Sequence, residues 1–204
     1  MIDKGDEHLP LLNRLKEYRS RLGVNQTEMG KLAGVSRQTI SQIERGDYSP
    51  SVTLALKLAK EKNADIVLAT DPDADRLGIY ALDTKTGEYV PFTGNMSGML
   101  IAEYILRERT ATKTMPANPA LVTTIVTTNM ARAIAEAYGV RFVEVLTGFK
   151  YIGEQIKFFE QSNSNNYVFG LEESYGCLAG THARDKDAVV AVMCLCEVAA
   201  WCKK

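Results

Sequence analysis

The chain has 204 residues and a formal net charge of −1, with 46% hydrophobic and 24% charged residues. This length suits one large domain or two small ones, and the composition is that of a globular protein rather than a disordered chain. No run of about 18 apolar residues occurs, which argues against a transmembrane helix. The polar start "MIDKGDEHLP" does not read as a signal peptide. We therefore expect no membrane partner.

The net charge hides a difference between the two ends of the chain. Residues 1–60 contain ten Lys and Arg against seven Asp and Glu, whereas residues 61–204 contain fourteen against eighteen. This asymmetry indicates two modules with different partners, although the basic excess is only weak support for nucleic-acid binding. The four cysteines form no CxxC pair. We interpret them as free thiols of a cytoplasmic protein, with a metal or disulfide role as the alternative.

The first part of the chain has the pattern of short helices joined by turns that contain glycine. The first helix ends at Gly23 and shows one apolar face. That face consists of Leu11, Leu15, Tyr18 and Leu22. The second helix is predicted over Gln26 to Ala33 and is closed by Gly34.

A third and a fourth helix follow after short connections. The third begins after Ser36, a good N-cap residue, and runs to Glu44. Its predicted inward side chains are Val35, Ile40 and Ile43. The fourth has Ser49 as its cap and Pro50 at its first position. Helices two and three, joined by "AGVS", fit a helix-turn-helix.

The third helix carries side chains suited to the major groove of DNA, because Gln pairs well with adenine, Arg with guanine, and Thr adapts to phosphate or base. The segment "NQTEMGKLAGVSRQTISQIERGDYSP" resembles the Cro/C1-type (Xre-family) helix-turn-helix domain, and the likeness covers residues 9–60. The resemblance implies binding of double-stranded DNA through Arg37, Gln38, Thr39, Gln42, Arg45 and Lys31. The family's usual fifth helix has no counterpart here. The alternative is a helical bundle that does not bind DNA.

Strand and helix patterns alternate through the rest of the chain, beginning with "ADIVLAT", "LGIYAL" and "YVPF". Such alternation predicts an α/β layered domain. The predicted fold class is therefore α plus α/β, in which a four-helix helix-turn-helix bundle (residues 1–62) precedes a three-layer α/β domain with a mixed sheet (residues 63–204).

The stretch "DPDADR" places Asp71, Asp73 and Asp75 in a turn directly after a predicted strand. Three carboxylates at alternate positions, separated by small residues, can direct oxygens at one point and suit Mg²⁺. Arg76 adds a fork-shaped donor for phosphate. The alternative for this stretch, taken alone, is an acidic turn in contact with solvent.

Further motifs follow in the order "FTGNMSG", "TGFKYIGE", "FGLEESYG" and "THARDKDA". Together with "DPDADR" they resemble the α-D-phosphohexomutase family of phosphoglucomutases and phosphomannomutases, from about residue 64 to residue 204. The resemblance implies Mg²⁺ ligation by Asp71, Asp73 and Asp75. It implies sugar contacts from Glu172, Ser174 and Lys150, and phosphate contacts from Arg76, Arg184 and Lys186. It also implies that Lys150 and Lys186 face the phosphate or the reacting oxygens of the substrate.

The same resemblance marks what these 204 residues lack. The family's phosphorylated serine, in a Ser-His-Asn-Pro-like loop, and its fourth-domain phosphate loop do not occur. The catalytic set is then incomplete, Mg²⁺ and hexose phosphate should bind weakly, and we expect no mutase activity from this chain alone. Two alternatives are a mutase fragment that works only when complemented and a structural chimera with neither activity.

The two resemblances meet at "LKLAKEKNAD", where one helix could serve both parents. The strand that follows, "DIVLA", would normally pair with strands that this chain lacks. An open apolar strand invites pairing. It is predicted to join the edge of the larger sheet, to pack on the helical module, or to pair with a second chain in a homodimer.

Overall fold

A computed structural model describes residues 15–45 and 52–204 of the protein. The described residues fold as two compact units, which divide between Ala64 and Asp65. No helix within the described ranges combines the length and the apolar character needed to cross a membrane.

The first unit is helical. Its described elements are α1 (Leu15–Arg21), α2 (Gln26–Ala33), α3 (Arg37–Arg45) and α4 (Val52–Lys62). The predicted bounds of α2 are confirmed: Asn25 caps its first turn and Gly34 ends it with a φ of 68°. Residues with a side chain rarely adopt this left-handed backbone conformation, so glycine suits this position.

The core of the helical unit lies where α2, α3 and α4 meet. Met29, Ile40, Ile43 and Leu54 are buried there, and Val35 packs against them, as predicted for α3. The predicted apolar face of α1 is wrong at two positions, because Tyr18 is 46% exposed and Leu22 is 53% exposed. α1 contributes Leu15, its first residue, to this core and ends at Arg21, about two turns later. Leu11, Ser49 and Pro50 lie outside the described residues.

The second unit contains two sheets. The smaller, antiparallel sheet has the order β1-β2-β3 and consists of β1 (Ile66–Thr70), β2 (Leu77–Leu82) and β3 (Tyr89–Phe92). Of the three arrangements predicted for "DIVLA", addition to the larger sheet is wrong. β1 pairs along its whole length with β2, which follows it in the chain and supplies its hydrogen-bond partner.

The larger sheet is mixed and has the order β5-β4-β6-β7. Its strands are β4 (Pro119–Thr124), β5 (Arg141–Val145), β6 (Asn166–Leu171) and β7 (Cys177–Ala179). β4 pairs in parallel with β5 and β6, whereas β7 runs antiparallel to β6. The three-residue strand β7 has no signal in the sequence pattern and was not predicted.

Helices cover both faces of the larger sheet, as the predicted three-layer fold requires. They are α5 (Gly94–Ala111), α6 (Met130–Ala137), α7 (Phe149–Ser162) and α8 (Ala188–Cys202). One core joins α5, α6 and α8 to one face, and a second core joins α7 to the other. Leu77 and Ile79 of β2 belong to the first core. The small sheet therefore packs against the layer formed by α5, α6 and α8. It is an addition to the predicted three-layer fold.

All four cysteines are free thiols. Cys177 and Cys194 are buried, and this burial raises the pKa of Cys177 to about 12 and that of Cys194 to about 11. Cys196 and Cys202 are exposed. The buried pair therefore consists of neutral core side chains.

Candidate DNA-reading helix and sugar-phosphate site

Helix α3 divides into a buried apolar face and a polar face. Ile40 and Ile43 point into the core, while Arg37 and Gln38 are exposed and Gln42 is half-buried. Gln38 and Gln42 are four residues apart and therefore share one side of the helix. The remaining predicted contacts also lie on α2 or α3: Thr39 is half-buried, and Arg45 and Lys31 are exposed. The predicted cap is confirmed, since Ser36 Oγ accepts from the backbone N–H of Thr39 at 3.0 Å.

A half-buried polar network lies beneath this face, and the sequence pattern did not reveal it. Glu44, whose side chain is 5% exposed, accepts from Arg19 Nε at 2.6 Å and from Gln26 Nε2 at 2.7 Å. Gln26 Oε1 in turn accepts from Arg37 Nη1 at 3.2 Å. Arg37 is therefore linked through Gln26 to the half-buried carboxylate of Glu44. Only the position of Glu44 beside the buried Ile43 hints at this network in the sequence.

The charges of this network support each other. Burial disfavours the charged form of Glu44, but the hydrogen bonds from Arg19 and Gln26 outweigh it and hold the pKa of Glu44 below its usual value. The hydrogen bond to Glu44 likewise raises the pKa of Arg19. Both groups stay ionised, so the network is a satisfied ion pair and not a titrating site.

In the second unit, the turn between β1 and β2 brings the three predicted aspartates together. Asp71, Asp73 and Asp75 each offer a carboxylate oxygen, and these oxygens lie within 4.8 Å of one another. Asp71 Oδ1 accepts from the backbone N–H groups of Arg76 at 3.0 Å and Asp75 at 3.1 Å. These backbone hydrogen bonds lower the pKa of Asp71. The turn therefore keeps at least one of its carboxylates charged and fixed in place.

This donor set fits Mg²⁺. Convergent carboxylate oxygens are the ligands that a hard divalent cation prefers. A protein cation already lies beside them, because the Lys186 ammonium is 2.9 Å from Asp75 Oδ2. Three protein oxygens leave part of an octahedral shell to water or to another ligand.

Lys186 lies between two carboxylates in this structure. Its ammonium contacts Asp75 at 2.9 Å and Asp185 at 3.0 Å, and its side chain is 11% exposed. Burial disfavours the ammonium, but the hydrogen bonds to Asp75 and Asp185 outweigh that effect and raise the pKa of Lys186. The predicted contact between Lys186 and phosphate stays a prediction.

The loop between β6 and β7 contains the predicted sugar contacts Glu172 and Ser174, and we call it the sugar loop. It closes on itself. The backbone N–H of Glu172 donates to the Gly176 carbonyl at 2.9 Å. The buried carboxylate of Glu172 accepts from the N–H of Gly148, at the start of α7, at 3.0 Å. Glu173, which was not predicted, accepts from Thr124 Oγ1 at 3.2 Å. The loop is thus attached to the carboxyl end of β4 and to α7, where ligands of α/β sheets bind.

The other predicted residues of this site differ in how closely they approach it. Ser174 is half-buried in the sugar loop, and Lys150 is exposed on α7 with its ammonium 4.8 Å from the centre of the Tyr151 ring. Arg76 borders the aspartates, 3.7 Å from Asp75. Arg184 contacts Glu160 on α7 at 2.6 Å. The structure therefore places Arg76 in the aspartate cluster and engages Arg184 in an ion pair with another element.

Backbone contacts hold together the turn between β1 and β2, the sugar loop and the starts of α5 and α8. Leu77 N–H donates to Tyr175 O at 3.1 Å, which attaches the start of β2 to the sugar loop. Ala188 N–H donates to Ala74 O at 3.0 Å, which attaches the start of α8 to the turn of Asp71, Asp73 and Asp75, which we call the metal turn. At the start of α5, a Cβ on Gly94 would lie 2.1 Å from Glu173 O. Segments far apart in the sequence thus form one site.

A family model described as phosphoglucomutase/phosphomannomutase, alpha/beta/alpha domain III, matches residues 93–204, which is more than half of the chain. The chain belongs to the phosphoglucomutase/phosphomannomutase family. A second model, described as helix-turn-helix, matches residues 15–61. Both resemblances stated from the sequence are confirmed.

Curated relatives agree with this family. A phosphoglucomutase of Staphylococcus epidermidis is 40% identical over 146 residues, which cover 72% of this chain and 26% of the relative. A phosphoglucomutase of Staphylococcus aureus is 37% identical over 138 residues, covering 68% and 24%. The chain thus spans about a quarter of the length of the phosphoglucomutases that it matches.

A solved structure supports the fold. It is that of a phosphoglucomutase/phosphomannomutase family protein from Burkholderia thailandensis, with a TM-score of 0.52 at 19% identity. The likeness covers 70% of this chain and 28% of that protein.

Proposed function

We propose that the protein is a sequence-specific DNA-binding protein in which residues 1–62 read DNA and residues 63–204 form a mutase-derived module. The observation that carries this proposal is the polar face of α3, on which Gln38 is exposed and Arg37 is held by Gln26 at 3.2 Å. A pre-oriented arginine loses little freedom when it meets a base or phosphate. Double-stranded DNA is the partner that this arrangement of donors suits best.

Six residues have proposed roles in this interface. The first four contact bases, and the last two lie nearer to phosphates: Arg37, Gln38, Thr39, Gln42, Arg45 and Lys31. Helix-turn-helix proteins commonly bind as dimers on paired half-sites, so a homodimer belongs to the proposal.

The experiment is a selection from random DNA duplexes, run with the wild type and with the double variant Gln38→Ala/Gln42→Ala. We expect an enriched motif for the wild type that the variant loses, since each good base contact contributes about 1–3 kcal/mol of discrimination. Gln161→Ala removes an exposed amide from α7 and serves as the matched control. Affinity should also fall steeply with salt. No enrichment by the wild type, or an affinity that is flat between low and moderate salt, would contradict DNA reading.

For the second unit we propose weak binding of Mg²⁺ by Asp71, Asp73 and Asp75, and weak binding of hexose phosphate. The candidate contacts are Glu172, Ser174 and Lys150 for the sugar and Arg76, Arg184 and Lys186 for the phosphate. When bound, the cation would neutralise phosphate charge beside these residues. The burial of Glu172 and its bond to Gly148 favour a preformed sugar loop.

We further propose that this unit does not catalyse mutase turnover by itself, because the family's phosphoserine loop is not among its residues. A coupled assay with purified protein and hexose phosphate tests this, and turnover would contradict it. Turnover that appears only after a fragment with the missing loops is added would favour the complemented mutase. Absence of both DNA binding and complementation would favour a structural chimera.

A further inference from the structure

Lys186 lies in a position built for its whole side chain. A Cβ added at Gly176 would lie 2.1 Å from Lys186 Cδ and 2.7 Å from Cγ, so the stem of the lysine lies directly against the glycine backbone. The ammonium is 5.6 Å from the centre of the Phe149 ring, within reach of a cation–π interaction. With 11% exposure and two carboxylate partners, this lysine is fixed in place.

One of those partners also belongs to the proposed metal site. Asp75 accepts from the Lys186 ammonium at 2.9 Å through Oδ2, and it is one of the three aspartates whose ligand oxygens lie within 4.8 Å of one another. A divalent cation on Asp75 would therefore lie close to the ammonium. Two positive charges at such a distance repel each other strongly, whether they share Asp75 or compete for one oxygen.

The turn cannot easily separate the two cations by moving away. The backbone N–H of Ala188 donates to the Ala74 carbonyl at 3.0 Å, which attaches the metal turn two residues from Lys186. The bridge between Arg76 and Gly176 holds the other end of the turn against the residue that packs on the lysine stem. The repulsion is therefore built into the fold.

We propose that Lys186 is a tethered counter-cation of the metal turn, which competes with a divalent cation for Asp75 and lowers the affinity of the site. This inference rests on the proposed binding of a divalent cation by Asp71, Asp73 and Asp75. It gives Lys186 a function in the protein without ligand, in addition to the phosphate contact proposed above.

The test is a titration of the full chain with Mn²⁺, followed by electron paramagnetic resonance of the free ion, with Mg²⁺ as competitor. Lys186→Met keeps the apolar stem and removes the charge, so it should bind about tenfold more tightly than the wild type. Lys186→Arg keeps the charge and should stay within about twofold of the wild type. Lys157→Met removes an exposed charge from α7 and is the matched control, with an expected change below about twofold.

The outcomes separate the two ideas. If Lys186→Met binds Mn²⁺ no more tightly than the wild type, while Asp73→Asn weakens Mn²⁺ binding in both proteins, the proposed role of Lys186 is overturned and the metal site stands. If Asp73→Asn weakens Mn²⁺ binding neither in the wild type nor in Lys186→Met, the proposed metal site fails and the inference falls with it. Thermal unfolding without metal reports whether each variant folds, and Lys186→Gln replaces Lys186→Met if that variant does not.

Discussion

The two units hold their candidate sites by different means. In the helical unit, side-chain hydrogen bonds run from Glu44 to Gln26 and on to Arg37, at 2.7 Å and 3.2 Å. In the α/β unit, the sugar loop lies against the backbone of α5, where a Cβ at Gly94 would come within 2.1 Å of Glu173 O. The first arrangement depends on charge and donor geometry, whereas the contact at Gly94 depends on the absence of a side chain.

The difference predicts which changes each site tolerates. A network of charged side chains is weakened by the loss of one partner, because the remaining charge is left partly buried. A backbone contact is indifferent to charge but gives way when any atom is added. Glycine substitutions in the α/β unit and substitutions of charged residues in both units test whether this division holds.

The largest effect is expected for Gly94→Ala. Its Cβ would lie 2.1 Å from Glu173 O and 2.6 Å from Tyr175 N, so the backbone of the sugar loop has to move. We expect a loss of about 3 kcal/mol in the free energy of unfolding of the α/β unit. Urea unfolding followed by the fluorescence of Trp201, the single tryptophan, measures it.

Gly78→Ala is the matched control for that substitution. An added Cβ there meets only Ala69 O, at an ordinary 3.6 Å, so stability should change by less than about 1 kcal/mol. Equal effects of the two substitutions would show that the close approach at Gly94 is not what holds the loop.

The next largest effect is expected for Glu44→Gln, which leaves Arg19 without its carboxylate. The side chains are 5% and 16% exposed, so the stranded charge is partly buried, and we expect a loss of about 2 kcal/mol. Hydrogen exchange of the backbone amides of α2 and α3 measures this loss within the helical unit.

Glu61→Gln, in the exposed part of α4, should change the opening free energies obtained from the same exchange measurements by less than about 0.5 kcal/mol. The Glu44 substitution should also lower DNA affinity by loosening Arg37. Unchanged exchange in α3 would show that the network does not orient this face.

The smallest effect concerns a side-chain bond within the α/β unit. Asp187 accepts from the N–H groups of Val189 at 2.9 Å and Val190 at 3.1 Å, which caps α8, and it contacts His182 at 2.8 Å. Asp187→Ala should lower the free energy of unfolding by about 1 kcal/mol in urea unfolding. Asp65→Ala, which breaks an exposed pair with Lys203, should cost less than about 0.5 kcal/mol at the same pH.

The pH dependence of the cap has a definite sign. Burial disfavours the charged form of Asp187, but hydrogen bonds from His182 and from the two backbone N–H groups hold its pKa below the usual value. The stability due to Asp187 is therefore fully present above the unfolded pKa of about 3.9 and is lost as the pH falls through the lower folded pKa. The difference in the free energy of unfolding between the wild type and Asp187→Ala should therefore become smaller in acid. A difference that is constant down to pH of about 2 would contradict this linkage.

The sequence by itself determined the elements and the motifs. The cap at Ser36, the glycine at position 34 and the alternation of strands and helices are local signals, and the helices and most strands follow from them. The spacing of Asp71, Asp73 and Asp75 within one turn also predicted that their oxygens converge. Local chemistry acts over a few residues, and a sequence displays it directly.

Only the tertiary structure decided which distant side chains meet. Lys186 lies more than one hundred residues after Asp75, and Glu44 meets Arg19 from another helix. The short strand β7 and the exposure of Tyr18 likewise depend on neighbours that are not adjacent in the chain. The physical reason is that a pairing partner or a covering surface is supplied by packing, and hydrophobic periodicity describes only one side of that contact.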